Sequence, residues 1–587
     1  MIKDRIKALQ NKMIEENIDL YYFNTSDYHM SEYVPQYFRT IEYFSGFTGS
    51  LATLLVSKEK AFIFVDGRYH TQADKQCLEN DIEVIKLGIK GALEPVDFII
   101  RNYADAVVGF DGKRTSTSFG KQLALYNIKI KSVDIYSELI ENRATLSTST
   151  LYELDEKYTG KSIDTKISEI KDYLNGRSLI VNNLESIAYT LNLRADDIAY
   201  TPTFLSYLIF DNNSVFLFVN EYRLSGDIKN KLNSAGVIIK SYDEYYEYLL
   251  TMNNKVILID ENKVNYETYF RIADKGNAII NERSIIEELK AVKNDVEQDS
   301  TRLAHIYDGV SMFRFINWLK KVDKSELDEC MAADYLDNLR KTNKAFDLSF
   351  NSIVAYDSNA AIVHYSPVKE SCAKLDNKGV LLVDSGGQYL EGTTDVTRTI
   401  SLGENSDEVK KYFTLVLKSM FSLSDLKFVK GLSGNQIDVI ARKDLWNEGV
   451  DYRHGTGHGV GHVLSVHEGP PNIRYMNTDV GTEKATLLPG MVFSDEPGVY
   501  FEGKFGIRCE NLLLCQKDFE NEYGEFLKFE TLTLVPFDLD LIDKKYLDDK
   551  TIEILNDYHE KVYETISPYL DEEEKLALRE MTKKIWK

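Results

Sequence analysis

The sequence predicts an α/β (α+β) protein of three domains, in which two smaller domains precede a larger one. A chain of 587 residues is too long for one hydrophobic core, since a typical domain has about 150 residues. Two stretches in the first half repeat the same order of strand-like runs, whereas long charged helical patterns begin near Glu288. We therefore place the domains at residues 1–155, 156–293 and 294–587.

The first two predicted domains have a similar pattern. An amphipathic helix opens the first, and the runs FSGFTGSLATLLVS and AFIFVDGRYHTQAD then predict two strands with a turn between them. In the second domain SVFLFVNEYRLSGD has the same character, with NEYR in the place of DGRY. We predict that the second domain is a degenerate copy of the first. The charged residues 152–160 predict a linker.

The third predicted domain opens with one long helical pattern, ELKAVKNDVEQDSTRLAHIYDGVSMFRFINWLKK. Strand and turn patterns follow in VLLVDSGGQYLEGTTDVTRTISL and in LLPGMVFSDEPGVYFEGKFGIRCENLLLC. Between them, two helical patterns lead into a loop that is rich in glycine and histidine. The tail from about Lys544 predicts two or three amphipathic helices.

The chain is acidic, with a formal net charge of -23 and a pI near 5.0. Excess acid disfavours phosphate backbones and anionic membrane surfaces, so we expect neither a nucleic acid nor a membrane partner. No run approaches the ~18 apolar residues of a membrane span. The first helix lacks the apolar stretch of a signal peptide, which favours a cytoplasmic location. Five cysteines without a CxxC motif argue against a zinc ribbon and a disulfide framework.

Histidine is concentrated in one stretch, HGTGHGVGHVLSVHEGP. Four of the nine histidines fall there, at positions 454, 458, 462 and 467. Glycine costs a helix or strand interior about 0.5–1 kcal/mol relative to alanine, so the alternating glycines predict a loop with close backbone approach. A core would not collect these imidazoles, because each buried ring needs partners for two nitrogens. The alternative is a histidine-rich surface loop, which the acidic residues in matching places on both sides disfavour.

Asp384 and Asp395 flank a predicted hairpin. Asp384 ends the apolar run 380–383, where an unpaired carboxylate is costly unless it binds a cation. The turn GGQYLEGT reverses the chain toward Asp395, and the midpoint of the two acids falls at residues 389–390, within that turn. We therefore expect the two carboxylates to face each other across the hairpin.

Glu496 and Glu510 repeat this arrangement, with their midpoint at Gly503 in the turn FEGKF. Four clustered carboxylates repel one another unless divalent cations lie between them. With His458, the set suits Mn²⁺, Co²⁺ or Zn²⁺, and its carboxylate content favours Mn²⁺. Five ligands also suit two ions that share bridging carboxylates, ~3.5–4 Å apart. Each acid taken alone is typical of a surface turn, so the prediction depends on the joint pattern.

These residues carry a resemblance to a known family. DSGGQYLEGTTDVTRT, HGTGHGVG, SDEPGVY and GIRCEN resemble the ligand motifs of the pita-bread metallopeptidases, the group of methionine aminopeptidase, prolidase and creatinase. SDYHMSEYVP, FSGFTGS, VDGRYHTQAD, SIVAYDSNAAIVHYSP, LWNEGVDYRHGTGHGVG and TLTLVPFDLDLID are similar to motifs of the three-domain cytosolic aminopeptidase P family. The resemblance runs from about residue 26 to the tail and implies two creatinase-type N-terminal domains followed by a pita-bread catalytic domain with a C-terminal helical extension.

The resemblance implies a role for each of these five residues, the four acids and the one imidazole. Asp384 would bind one metal ion, Asp395 and Glu510 would bridge two ions, and His458 and Glu496 would hold the other ion. The implied cofactors are two divalent ions, with Mn²⁺ favoured and Co²⁺ or Zn²⁺ as alternatives. An HExxH zincin motif is absent, because Gly-Pro-Pro follows His467-Glu468.

The resemblance also implies catalytic residues. Glu496 would accept and shuttle the proton that a water bridging the two ions loses as it becomes the hydroxide nucleophile. His364, His454 and His467 would contact the substrate or its tetrahedral intermediate. For His364 the alternative is a core histidine on a strand. The family offers no role for His462, for which we expect an outer position around the metals or a plain surface position.

Three more residues are implied to bind substrate, together with His364 and His467. Arg508 would orient a ligand carboxylate, or would only balance the charge of the acids. Tyr500 would line a proline pocket, with core packing as the alternative. Arg68 would touch the peptide from the first domain, with a salt bridge in its own hairpin turn as the alternative.

The implied activity is release of the N-terminal residue from peptides whose second residue is proline. An X–Pro bond has no N–H and a fixed φ, so peptidases that bind the extended backbone through that N–H fail on it. The alternatives are a prolidase-like dipeptidase, which generally lacks a middle domain, a pita-bread binding module without activity, and a creatinase-like amidinohydrolase. The family implies a homodimer, with the first domain as a lid and the second as a spacer.

Overall fold

The computed structural model describes residues 1–475 and 485–586. Packing divides the chain into two compact units, one of Met1–Glu156 with Lys161–Ile286, the other of Lys157–Gly160 with Glu287–Lys587. The first unit contains both predicted N-terminal domains, and the boundary between them at residues 155 and 156 stays a prediction. Within the described ranges, no helix is long and apolar enough to cross a membrane.

The α-helices, in chain order, are α1 (Ile2–Glu15), α2 (Thr40–Ser45), α3 (His70–Cys77), α4 (Pro95–Asn102), α5 (Thr117–Leu125), α6 (Glu156–Thr159), α7 (Ile163–Leu174), α8 (Leu184–Leu191), α9 (Gly226–Ser234), α10 (Tyr245–Leu249), α11 (Tyr266–Ile272), α12 (Ile285–Ala291), α13 (Asp295–Lys321), α14 (Glu329–Thr342), α15 (Asp407–Ser424), α16 (Gly434–Asn447), α17 (Asp549–Ile566) and α18 (Glu572–Met581).

The strands of the first unit are β1 (Leu20–Asn24), β2 (Thr53–Ser57), β3 (Ala61–Val65), β4 (Ile82–Lys86), β5 (Val107–Phe110), β6 (Lys129–Ser132), β7 (Tyr152–Glu153), β8 (Ser178–Val181), β9 (Leu193–Arg194), β10 (Tyr207–Asp211), β11 (Ser214–Phe218), β12 (Val237–Lys240), β13 (Val256–Ile259) and β14 (Ala278–Asn281).

The strands of the second unit are β15 (Asp347–Leu348), β16 (Ile353–Tyr356), β17 (Val380–Ser385), β18 (Gly387–Tyr389), β19 (Gly392–Thr393), β20 (Val396–Ser401), β21 (Phe428–Val429), β22 (Gly457–Gly459), β23 (Glu468–Ile473), β24 (Val492–Asp495), β25 (Gly498–Phe501), β26 (Phe505–Arg508), β27 (Asn511–Asn521) and β28 (Gly524–Thr531).

The two six-stranded sheets of the first unit have the same topology, as the predicted duplication requires. Their strand orders are β4-β3-β2-β1-β5-β6 and β12-β11-β10-β8-β13-β14. Each matched pair of neighbours is also parallel or antiparallel in the same sense. DGRY follows β3 and NEYR follows β11, which is the equivalent place in the second sheet. The duplication prediction is confirmed at the level of topology.

The predicted linker at residues 152–160 is wrong, because hydrogen bonds hold most of this segment. β7 pairs with β9, and α6 forms a single helical turn. The carbonyl of Tyr158 accepts a hydrogen bond from His462 Nε2 at 2.9 Å, and that of Thr159 accepts one from Asn294 Nδ2 at 2.9 Å. These bonds place residues 157–160 in the second unit.

The single long helix predicted from Glu288 to Lys321 is wrong as well, because the chain forms α12 and α13 with a break between them. Asn294 caps α13, and its side chain accepts hydrogen bonds from the backbone N–H groups of Val296 and Glu297. Glu297 returns a bond to the backbone of Asn294, which completes a capping box. A cap of this kind starts a new helix, so α13 begins where the third domain was predicted to begin.

The second unit is built from antiparallel sheets that position the charged residues of the next section. β17 is buried along its whole length and pairs with β16 and β20. A six-stranded sheet has the order β21-β28-β27-β24-β22-β23. The tail forms α17 and α18, as predicted, and buries the apolar side chains of Leu555, Val562, Ile566 and Leu578 against the core of this unit.

Candidate metal centre

The first hairpin holds Asp384 and Asp395 on one face, but not directly opposite each other. Along β17 and β20, Asp384 is paired with Thr397 and Ser385 with Val396. Asp395 precedes β20 and lies diagonally from Asp384, two residues from Thr397. The predicted face-to-face pairing is therefore wrong by two residues. The turn falls beyond Tyr389, because β18 and β19 continue the hairpin with Tyr389 opposite Gly392.

The second hairpin has the predicted register. Asp495 is paired with Asn511 in the β24–β27 ladder, and Gly498 with Arg508 in the β25–β26 ladder. Both ladders follow one register, in which Glu496 and Glu510 fall opposite each other in the gap between them. Pro497 interrupts the strand here, because proline has no N–H to donate to a ladder.

His458 enters from β22, which neighbours β24 in the six-stranded sheet. The register between β22 and β23 shifts between His458 and Gly459, which is a β-bulge. A Cβ on Gly457 would lie 1.9 Å from the carbonyl oxygen of Ser494, so only glycine permits this approach. The glycine pattern of the sequence therefore reflects close backbone packing around the imidazole.

Three predicted ligands converge within metal-binding distance of one another. Asp395, His458 and Glu510 each offer a ligand atom, and these atoms all lie within 4.8 Å of one another. His458 Nε2 lies 3.5 Å from Asp395 Oδ2 and 3.5 Å from Glu496 Oε1. His458 Nδ1 donates to the carbonyl of Gly459 at 3.0 Å. This bond fixes the tautomer that presents the lone pair of Nε2 to the carboxylates.

Asp384, the remaining predicted acid of the first hairpin, has, within the described ranges, one buried oxygen that is paired and one that is not. Arg508 Nη2 donates to Asp384 Oδ2 at 2.6 Å, whereas Asp384 Oδ1 is buried and has no hydrogen-bond partner among the described residues. Burial raises the pKa of Asp384, and the negative charge of Asp395 adds to this effect against the opposing charge of Arg508. A buried carboxylate oxygen without a donor is a typical metal ligand.

The pKa values of the two glutamates indicate that the centre needs positive charge. Burial, together with the charges of the neighbouring acids, raises the pKa of Glu510 well above its usual value. Burial raises the pKa of Glu496 to about 7, with His458 and Arg508 opposing the rise. Divalent cations would remove this penalty, because a cation favours the ionised form of its ligands. The donor set therefore fits a pair of divalent ions.

Two hydroxyl residues that the sequence analysis missed orient the ligands. Thr397 Oγ1 donates to Glu510 Oε2 at 2.8 Å. Ser494 Oγ donates to Glu496 Oε1 at 3.3 Å and accepts from the backbone N–H of His458 at 2.9 Å. Thr397 lies two residues after Asp395 and Ser494 two residues before Glu496, so the period of a strand is the signal that could have found them.

A chain of hydrogen bonds connects Asp384 to His454. Arg508 Nη1 donates to Tyr500 Oη at 2.8 Å, and Tyr500 Oη lies 2.8 Å from His454 Nε2. His454 Nδ1 donates to the carbonyl of Gly455 at 2.7 Å, so Nε2 accepts from the tyrosine hydroxyl. Burial lowers the pKa of His454 to about 3, and the charge of Arg508 contributes, which keeps the imidazole neutral. Both ring nitrogens of His454 are thus engaged.

The remaining predicted histidines take three different positions. His467 stacks edge-on against His458, with ring centroids 4.5 Å apart. His364 lies half-buried in a turn after the short helix Asp357–Ala361, so the alternative of a core histidine on a strand is wrong. His462 is buried, so a plain surface position is wrong. Its Nδ1 lies 3.2 Å from Thr301 Oγ1.

Arg68 belongs to the first unit, where it forms a salt bridge in its own turn. Its Nε donates to Asp66 Oδ1 at 2.9 Å and its Nη2 to Asp66 Oδ2 at 2.6 Å. This is the alternative that the sequence allowed. A contact between Arg68 and a peptide stays a prediction.

A buried ionic cluster holds the chain immediately after His467. Glu468 accepts from Lys293 Nζ at 2.5 Å and pairs with Lys290 Nζ at 3.3 Å. Lys290 also pairs with Glu287 at 3.1 Å. The side chains of Glu468 and both lysines are at most 4% exposed. No spacing in the sequence pointed to this cluster, because its members are about 175 residues apart.

Family models match nearly the whole chain. The model of metallopeptidase family M24 matches residues 299–517, and the model of the C-terminal region of that peptidase matches residues 525–585. Two models of the creatinase/prolidase N-terminal domain match residues 5–143 and 142–297.

Curated relatives and a solved structure resemble the chain over nearly its full length. A probable Xaa-Pro aminopeptidase P of Pyrenophora teres f. teres is 36% identical over 604 residues, which span 97% of this chain and 90% of that protein. One of Leptosphaeria maculans is 34% identical, over 97% of this chain and 96% of that protein. The X-prolyl aminopeptidase of Caenorhabditis elegans, described as a cytosolic enzyme with a di-nuclear active site, matches with a TM-score of 0.94 and 30% identity over 100% of both chains.

Proposed function

Because the chain belongs to metallopeptidase family M24, we propose that it is a metal-dependent aminopeptidase that hydrolyses the N-terminal Xaa-Pro bond of peptides. The convergence of Asp395, His458 and Glu510 within 4.8 Å, beside Asp384 and Glu496, is the observation that supports hydrolysis by metal ions. Full-length similarity to proteins named Xaa-Pro aminopeptidase P supports the proline preference.

The fold class predicted from the sequence is confirmed. Two creatinase-type α/β domains precede a pita-bread domain, and the chain aligns from end to end with an X-prolyl aminopeptidase structure. We retain the proposed domain bounds of 1–155, 156–293 and 294–587. A second creatinase-type domain favours an aminopeptidase over the smaller prolidase-like dipeptidases considered above.

Two divalent ions are the proposed cofactors, with Mn²⁺ favoured over Co²⁺ and Zn²⁺ because four of the five ligands are carboxylates. Asp384 would hold one ion, His458 and Glu496 the other, and Asp395 and Glu510 would bridge them. The chemistry that the bound pair supplies is polarisation of the scissile carbonyl and activation of a bridging water as hydroxide near neutral pH.

Glu496 is the proposed proton carrier of the reaction. Its side chain is 19% exposed, more than that of any other carboxylate in the proposed ligand set, so solvent can reach it. Glu496 would accept the proton of the attacking water and pass it to the proline nitrogen as the C–N bond breaks. The Ser494 hydroxyl holds Oε1 at 3.3 Å, which limits the carboxylate to one orientation during the transfer.

The histidines and Arg508 have separate proposed tasks around this centre. His467, which stacks on His458, and His364 would donate hydrogen bonds to the substrate carbonyl and to the tetrahedral intermediate. His454 is also proposed to contact the intermediate, after exchange of its bond with Tyr500. Tyr500 would line the pocket for proline. Arg508 would orient a ligand carboxylate or balance the charge of the acids, and its salt bridge with Asp384 favours charge balance as its main task.

Location and assembly are proposed from the family resemblance. We propose a cytoplasmic location, as described for the Caenorhabditis elegans enzyme, and a homodimer. Peptides with proline second are the proposed partners, and the acidic charge of -23 argues against nucleic acid.

The decisive experiment compares a tripeptide X-Pro-Y with the dipeptide X-Pro after chelation and readdition of Mn²⁺, Co²⁺ or Zn²⁺. We expect the tripeptide to be cleaved only after metal returns, and the dipeptide to be a poor substrate. A bradykinin-type peptide that begins Arg-Pro-Pro would serve as a longer substrate. Preference for the dipeptide would instead identify a prolidase-like enzyme, and full activity in chelator would contradict a metal mechanism.

A further inference from the structure

Two of the five cysteines meet a carboxylate in the second unit, outside the five-residue centre. Asp328, Cys330 and Cys372 each offer one ligand atom, and these atoms all lie within 4.8 Å of one another. All three residues are half-buried, so the group is open to solvent on one side. The two cysteines are 42 positions apart in the sequence, which is too far for any short motif to identify them.

The backbone around this group is held firmly. The N–H of Leu375 donates to the carbonyl of Leu327 at 2.9 Å, and that of Glu329 donates to the carbonyl of Ala373 at 3.1 Å. The Glu329 side chain is fully buried and accepts from the N–H of Ala373 at 2.7 Å. These bonds keep the start of α14 beside the loop that carries Cys372, so the two thiols stay close without a covalent link.

The charges around the thiols favour a cation. Burial, the Cys372 thiol and the carboxylates of Asp328 and Asp334 all raise the pKa of Cys330, to about 12. Asp328 caps α14, where its Oδ1 accepts from the N–H of Met331 at 2.8 Å. Among the described residues, no lysine or arginine forms an ion pair with Asp328. One oxygen of this carboxylate lies within 4.8 Å of both thiol sulfurs.

We propose that Asp328, Cys330 and Cys372 form a binding site for one thiophilic divalent cation of the zinc and cadmium class. Two thiolates and one carboxylate are typical ligands of such ions, and the exposed side leaves a fourth position for water. As the ion binds, each thiol loses its proton to solvent, so two protons are released and no oxidant is needed. Cation binding at this site would not require the proposed peptidase activity.

The site differs in chemistry from the five-residue centre. That centre offers oxygen and imidazole ligands, which suit Mn²⁺, whereas thiolates select softer ions. A bound ion would cross-link residues 328–330 to the loop around Cys372. His364 lies a few residues before Cys372 in the chain. Its neighbour Tyr365 is tied to the start of α14, because the Tyr365 hydroxyl donates to Glu329 Oε2 at 2.6 Å. Occupancy would therefore restrain the segment that carries a proposed substrate contact.

The test is a cadmium titration of the full-length, reduced protein whose five-residue centre has first been loaded with Mn²⁺. The readout is the ultraviolet charge-transfer absorption of cadmium thiolates, which oxygen and imidazole ligands do not produce. We expect saturation at one ion per chain and release of two protons per ion. Cys330→Ser and Cys372→Ser should each abolish most of this absorption, and Asp328→Asn should weaken binding about tenfold or more. Cys77→Ser, in the first unit, is the matched control and should bind as the unchanged protein does.

Three results would overturn the proposal. The first is no thiolate absorption in the unchanged protein, and the second is absorption that survives both cysteine substitutions. The third is titration of only three free thiols in protein purified without oxidant, because Cys330 and Cys372 would then be a disulfide pair. If Cys330→Ser fails to fold, Cys372→Ser in the neighbouring loop gives the same readout.

Discussion

Glu496 and Glu510 occupy opposed positions of one hairpin, in the gap where the β24–β27 ladder ends and the β25–β26 ladder begins. Two carboxylates opposed in a buried hairpin are destabilising by themselves. Burial, together with the charges of the neighbouring acids, raises the pKa of both glutamates. The hairpin should therefore be stabilised by a ligand that supplies positive charge.

Removal of one bridging carboxylate should empty the centre. Glu510→Gln keeps the shape of the side chain and its bond with Thr397, but removes the negative charge between the proposed ions. We expect metal content to fall below one ion per chain and activity to fall about 100-fold or more. Elemental analysis with a kinetic assay would measure both. Unchanged metal content in this variant would contradict the proposed ligand set.

The hydroxyl of Thr397 should tune metal affinity without being a ligand. Thr397→Val preserves the side-chain shape and removes the 2.8 Å hydrogen bond to Glu510 Oε2. We expect metal affinity to fall about 10–100-fold, with activity restored at high Mn²⁺ concentration. Thr190→Val, in the first unit, is a control for the loss of a buried hydroxyl, because the Thr190 hydroxyl donates to the carbonyl of Ser186 in its own helix. Equal effects of the two substitutions would argue against a role for Thr397 in orienting the ligand.

The stability of the metal-free protein should fall as pH rises from about 4.5 to about 7. Burial raises the pKa of Glu496 to about 7 from 4.5, so between these values the folded state binds more protons than the unfolded state. Stability then decreases with pH, by at most about 3 kcal/mol for this group. Urea unfolding of the metal-free protein at both ends of the range should show a smaller loss for Glu496→Gln. A loss of equal size in the variant would exclude Glu496 as its source.

Loss of Lys293, a buried partner of Glu468, should lower the free energy of unfolding. Lys293→Met removes the 2.5 Å ion pair and leaves Glu468 with Lys290 at 3.3 Å. An uncompensated buried charge costs about 3–5 kcal/mol, and the remaining lysine places the expected loss near the lower end. Adding Glu468→Gln to the Lys293→Met variant should restore part of the lost free energy of unfolding. Denaturant unfolding measures the change, and Lys545→Met, in an exposed pair with Asp543, should leave stability unchanged.

The hydroxyl of Tyr500 should support catalysis rather than metal binding. Tyr500→Phe breaks the link between Arg508 Nη1 and His454 Nε2. We expect kcat/KM to fall about tenfold, which corresponds to the loss of one hydrogen bond to a charged group. Metal content should stay at two ions per chain. A fall in metal content would show instead that the tyrosine acts through Asp384.

The sequence predicted the parts of the fold that depend on local patterns. The duplicated sheets were visible because each strand-turn run is contiguous, with DGRY and NEYR at equivalent places. The register of the second hairpin followed from its midpoint at Gly503. The first hairpin differed by two residues, because its turn lies beyond Tyr389 rather than at it. The prediction of one continuous long helix was wrong, because Asn294 caps the start of a second helix.

By itself, the sequence determined that each pair of acids belongs to one hairpin, since hairpin pairing is a short-range property of strands and turns. Only the tertiary structure decided the partners of these residues. The important contacts join segments that are far apart in the chain. They are the hydrogen bond from Thr397 to Glu510, the hydrogen bonds that link Arg508 to His454, the ion pairs of the two lysines with Glu468, and the thiol pair. Such contacts depend on how whole sheets and helices pack, and no periodicity along the sequence records that packing.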